Sequence, residues 1–163
     1  MNAAHRLVVA LTLTALAACS GGGKDGDTAG ATLDADTQSL ADELLAASAG
    51  YETWPQTADW TGMQLTSGGA HGAAVLIWWN DLAFSAFEAG AGTPLPEGSI
   101  LVKQGYDDVE GAELRAVTYL WKNDGLFFMA TSPDGAIVDA GYDYDFCLGC
   151  HEGAPDGVLS VRW

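Results

Sequence analysis

Two short joints constrain the fold more than any other part of the chain. Asn123-Asp124-Gly125 and Ser132-Pro133-Asp134-Gly135 separate stretches rich in aromatic and branched residues. Asn, Asp and Gly tolerate the left-handed backbone of a tight reversal, and Pro fixes the φ angle of an early turn residue. The joints therefore predict strands over 113–122, 126–131 and 136–142 that fold back on one another as an antiparallel sheet. A further strand is expected over 99–104. The apolar run over 73–79, bounded by Gly72 and Asn80, reads as a buried strand. Asn80 can cap a helix over 81–89 whose Leu82, Phe84 and Phe87 face inward, and a loop with Pro94 and Pro96 follows. Upstream, 37–48 reads as a helix capped by Ser39 with Asp42, striped by Leu40, Leu44 and Leu45, and stopped by Gly50. Residues 51–63 read as irregular. The expected class is α+β, dominated by antiparallel sheet with a few helices.

A length of 163 residues suits one core with attachments. Arg6 and an apolar run from Leu7 to Leu16 form the beginning of an export signal, too short for a membrane span. Leu16-Ala17-Ala18-Cys19-Ser20 follows and resembles the lipobox of bacterial lipoproteins. That resemblance implies a signal peptide over 1–18, lipidation of Cys19, and a periplasmic or cell-surface protein held to a membrane by its acyl chains. Residues 19–36 contain almost nothing large or apolar and read as a flexible tether, leaving a single domain over 37–163. The chain holds 22 acidic against 6 basic residues, a formal charge of −16. Nucleic acid is excluded as a partner for want of clustered Lys and Arg, whereas a basic protein partner is favoured.

Cys147-Leu148-Gly149-Cys150-His151 is a CxxCH motif, the pattern that attaches a c-type haem. The two thiols each reach one vinyl group of the porphyrin, and the adjacent imidazole ligates iron. Three other readings of the pair compete: a structural disulfide, a thioredoxin-like redox couple, and a zinc site that would need His71 or another fourth ligand. If haem is bound, its sixth position decides between electron carrier and reactive centre. Met63, Met129 and His71 are the candidate ligands. Met129 shares a strand face with Phe127 and reads as core, Met63 falls in a loop, and His71 follows Ser67-Gly68-Gly69 as a turn or surface residue. An open or weakly ligated iron is the expectation.

His71-Gly72 leading into Val75-Leu76-Ile77-Trp78-Trp79-Asn80, then Leu95-Pro96-Glu97-Gly98-Ser99-Ile100-Leu101-Val102-Lys103, resembles the cytochrome P-460 family, which includes the cytochromes c′-beta. Residues 114–122, 132–135 and the CxxCH motif extend the resemblance across roughly 70–163. It implies an antiparallel sheet with helices and one haem, often in a homodimer. It also implies an iron that binds or oxidises hydroxylamine or nitric oxide, with Lys103 as candidate for a covalent bond to the haem. On spacing alone Lys103 is a strand-end lysine in solvent. Enzymatic members carry an arginine on the strand matching 73–79 and a carboxylate on the strand matching 114–121, and this chain has neither there. The departure keeps open a nitric-oxide-binding role with an apolar pocket lined by Phe127, Phe128 or Trp78, and a role as simple electron carrier. Arg115 is expected beside Val117, Tyr119 and Trp121, facing solvent or a haem propionate.

Overall fold

The computed structural model describes residues 32–90, 93–142, 147, 149 and 151. Six strands lie in chain order in one antiparallel sheet: β1 (Gln64–Leu65), β2 (Ala74–Trp79), β3 (Ile100–Tyr106), β4 (Leu114–Lys122), β5 (Leu126–Thr131) and β6 (Ile137–Gly141). Among the described residues the helices are α1 (Ala35–Ala47) and α2 (Asp81–Glu88), with single 3-10 turns at Tyr51–Thr53 and Ala58–Trp60. The α+β class and the strands read from the turn code are present. Asp124, Gly125 and Gly135 adopt φ of 51°, 144° and 87°, the backbone that their reversals require. The two-residue strand β1 lies just past the stretch read as irregular, where no strand is expected from sequence, and pairing with Val75 and Ala74 of β2 defines it.

Side-chain alternation gives the sheet two different faces. On one, Ile100, Val102, Val117, Tyr119, Trp121, Phe127 and Met129 form a closed core with Ala41 and Leu44 of α1. On the other, Val75, Ile77, Trp79, Leu120 and Phe128 pack against Ala83, Ala86 and Phe87 of α2 and against Leu95. The helices thus sit on opposite faces.

Three details differ from the sequence reading. Helix α1 starts at Ala35, capped by Asp34, whose carboxylate accepts from the amides of Asp36 at 3.1 Å and Thr37 at 2.9 Å. Ser39 lies inside the helix. Leu33 packs against the core, so the ordered domain begins before residue 37. In α2 the inward face is Ala83, Ala86 and Phe87, while Leu82 is exposed. An eight-residue helix offers one narrow stripe, and small alanines let α2 approach the sheet closely. Finally, between Gly105 and Tyr106 the pairing advances two residues on β4, from Ala116 to Leu114, for one on β3. Arg115 is the extra residue of this bulge and leaves the alternation that would have aligned it with Val117. It points outward to an ion pair with Asp107 at 2.9 Å.

Asn80 ties three elements together. Its Oδ1 accepts from the amides of Ala83 at 3.0 Å and Ile100 at 3.1 Å, and its Nδ2 donates to the Gly98 carbonyl at 2.8 Å. Asn80→Ala removes a helix cap and two tertiary bonds, so unfolding free energy falls by about 2–3 kcal/mol in urea denaturation. Asp34→Ala, which loses an exposed cap alone, costs about 1 kcal/mol.

Candidate functional site

The open part of the α2 face lies in the middle of the sheet. Cross-strand pairing places Ile77, Lys103, Thr118, Ala130 and Asp139 in one row across β2 to β6. The next row toward the bulge contributes Gly105 and Ala116. Lys103, Ala116, Thr118, Ala130 and Asp139 are all half-buried, whereas the residues behind them on the α1 face are closed off. Small side chains, Ala116, Thr118 and Ala130, make a floor on the β4 and β5 side of the lysine, with Ile77 on its other side.

Cys147 and His151 stand over this floor. Both are helical, and four residues of separation put them on one side of a helix, a turn apart. Cys147 packs against the α2-side core, and the His151 ring lies edge-on to Phe128 with centroids 5.6 Å apart. The other histidine arrives from the opposite part of the domain: the His71 and His151 rings are 6.2 Å apart with planes at 86°.

Two glycines set the position of His71. Gly72, at φ 84°, forms a bridge to Tyr106, and a Cβ there would collide with the Tyr106 carbonyl. A Cβ on Gly105 would collide with the His71 carbonyl. The His71-Gly72 turn lies directly on the β3 backbone, held further by the Ala73 amide donating to the Tyr106 carbonyl at 2.6 Å. Only glycine permits this approach.

Burial governs the protonation of the cluster. It pulls the Lys103 ammonium down to about 8, partly opposed by nearby Cys147. Burial also takes His71 down to about 3, assisted by the charges of Lys103, His151 and Arg115, so the imidazole is neutral. The Cys147 thiol is pushed up to about 11 by burial, against the pull of Lys103 and with Asp139 reinforcing the rise. Each group is held in its uncharged form or moved toward it, as desolvation requires. A raised thiol is opposite to the activated thiolate of a redox pair or a zinc ligand. Among the described residues, no three His, Cys, Asp or Glu side chains gather to hold a metal ion.

The sequence-read residues divide clearly. Cys147, His151 and Lys103 converge, and Lys103 is mid-strand and recessed rather than a solvated strand end. Cys150 and Cys19 lie outside the described residues. Met129 is fully buried in the α1-side core, and the Met63 side chain packs at Gly111, so neither methionine belongs to the cluster. Phe128 is the aromatic neighbour of His151; Phe127 packs with Trp121 and Tyr142, and Trp78 with Tyr51, on the other side of the sheet. Sequence reasoning missed Asp139. It is the carboxylate of the Lys103 row and lies close enough to Cys147 to influence its thiol. Alternation along β6 alone would not have located it, because a register shift at Ala130/Thr131 makes Val138 an extra residue.

An imidazole and a neutral thiol one turn apart, an aromatic ring beside the imidazole and small half-buried neighbours are the kinds of residue that would hold a covalent haem. Among known proteins, no family model and no curated protein matches the chain.

The depressed lysine makes stability depend on pH. Lys103 binds its proton less tightly folded than unfolded, so stability is lowest below about pH 8 and rises toward the ordinary lysine value. In the haem-free chain, Lys103→Met is therefore about 2 kcal/mol more stable than wild type at pH 7, with the advantage shrinking by pH 10.5 in urea titrations.

Proposed function

We propose that the chain is a lipid-anchored, extracytoplasmic monohaem cytochrome c of the P-460 type that binds or oxidises a small nitrogen species, hydroxylamine or nitric oxide. The single observation that carries this reading is the convergence of Cys147, His151 and Lys103 on one half-buried sheet face whose neighbours are small. Cys147, with Cys150 of the same motif, would hold the porphyrin by adding S–H across its vinyl groups, and His151 would ligate the iron. Haem c supplies an iron that takes small ligands and exchanges electrons. Lys103, whose amine is substantially unprotonated near pH 8, would be the residue to bond the ring. That bond would replace one amine N–H and one ring C–H, and forming it would require a two-electron oxidant such as a peroxide to take up the two electrons and two protons.

The chain's own residues also shape what reaches the iron. Phe128 lies edge-on to His151 and would pack against the ligating imidazole. The acidic exterior suits a basic electron-accepting partner. Beta-4 presents no carboxylate to the floor, only Thr118, which favours as second reading a c′-beta-like protein that binds nitric oxide without turnover. The lipid anchor at Cys19 rests on the leader sequence; no helix among the described residues is long and apolar enough to cross a membrane.

Intact-mass measurement of protein matured outside the cytoplasm should show one added haem, lost in Cys147→Ala/Cys150→Ala. A bare polypeptide would sink the reading. With haem attached, a ferrous Soret band shifted far to the red that reverts in Lys103→Ala supports the cross-link. An ordinary c-type spectrum unchanged by Lys103→Ala rejects it.

A further inference from the structure

We infer that His71 is the second axial ligand of the iron, so that the resting protein is six-coordinate and a small nitrogen species enters by displacing it; this rests on the haem reading above. Two imidazoles on opposite sides of one metal have ring centres roughly 6 Å apart, from a metal–nitrogen bond of about 2 Å and a shorter nitrogen-to-centre distance on each side. The His71 and His151 rings are separated by 6.2 Å, the spacing such a pair requires, with planes at 86°.

The pairing is not a by-product of local sequence. His151 belongs to the helical segment that carries Cys147, whereas His71 is pinned to β3 through Gly72, Gly105 and Tyr106. Two independently anchored elements, far apart in the chain, bring their only described imidazoles to one place on the Lys103 floor. The alternative sulfur ligands are elsewhere: Met129 is on the far face of the sheet and Met63 is packed at Gly111. His71 thus fills the role for which no methionine is placed.

An internal ligand also sets how strongly an external one binds. A tethered imidazole competes at an effective concentration in the millimolar range, so apparent affinity for an incoming ligand is the intrinsic affinity multiplied by the small fraction of protein in which His71 has let go. His71 therefore acts as a selectivity filter, admitting strong iron ligands such as nitric oxide and holding back weak ones.

The test is the spin state of the purified ferric holoprotein by electron paramagnetic resonance and absorption. Wild type is expected to be low-spin, His71→Ala high-spin, and added imidazole should restore the low-spin signal to the variant. Cyanide, used as the probe ligand, should bind His71→Ala at least tenfold more tightly than wild type. Should His71→Ala fail to fold, His71→Met provides the second reading: it keeps a ligand of similar length and should raise the reduction potential, as thioether ligation does. A wild-type protein that carries covalent haem yet is high-spin overturns the inference while leaving the haem reading intact. So does a low-spin signal that survives His71→Ala, and loss of that signal in Lys103→Ala would then assign the position to the lysine. Absence of covalent haem overturns both.

Discussion

Alternation along six antiparallel strands is the constraint from which the rest of the molecule follows. Each strand must send its neighbours to opposite sides, and here the two sides have been given different tasks. The α1 side is filled with Tyr119, Trp121, Phe127 and Met129 and is sealed by Ala41 and Leu44. With that side supplying a complete apolar core, the opposite side does not have to be packed throughout. Helix α2 covers it around Trp79 and Phe87, and the middle is left to Lys103, Ala116, Thr118 and Ala130. A stable domain with a receptive floor requires this division, because a floor of small, half-buried residues contributes little to the hydrophobic driving force.

The same desolvation that stabilises the core governs the chemistry of the floor. Lys103, His71 and Cys147 are shifted in the direction expected when charge is taken out of water, although the chain carries a formal charge of −16. Among the described residues the carboxylates lie mostly in solvent, where their influence on recessed groups is screened. Asp139 is the exception: it sits in the Lys103 row and acts on Cys147. The cluster is therefore an enclave within an acidic protein where charge is disfavoured: His71 and Cys147 are neutral near pH 7, and Lys103 is drawn toward its uncharged amine.

Much of the sheet was legible because its signals are local. Turn residues at 123–125 and 132–135 and apolar runs between them fix β4, β5 and β6 to within a residue or two. Asn80 was legible as a cap because an apolar strand ends immediately before it. Misreadings arose where two local signals compete or where the deciding contact is distant. Ser39 and Asp34 are both good capping residues, and the burial of Leu33 selects the earlier one. Leu82 is exposed and Ala83 buried, so the largest apolar side chain of the first turn does not mark the inward face of α2. The meeting of His71 with His151 could not be read at all, since the signal is a pair of glycines, Gly72 and Gly105, lying on different strands' approaches. In the candidate site, the identity of the chemistry-bearing residues came from the motif, and their convergence came only from register.

The two register shifts carry an evolutionary consequence. Arg115 and Val138 are supernumerary residues, each absorbed where one strand slides past its neighbour. By confining the slip to a single step, they let the tips of β4 and β6 change length or direction without inverting the orientation of side chains in the middle of the sheet. Insertions and deletions at the rim are thereby decoupled from the lateral row of Lys103, Thr118, Ala130 and Asp139, and descendants of this fold can remodel their outer edges while inheriting the same interior platform.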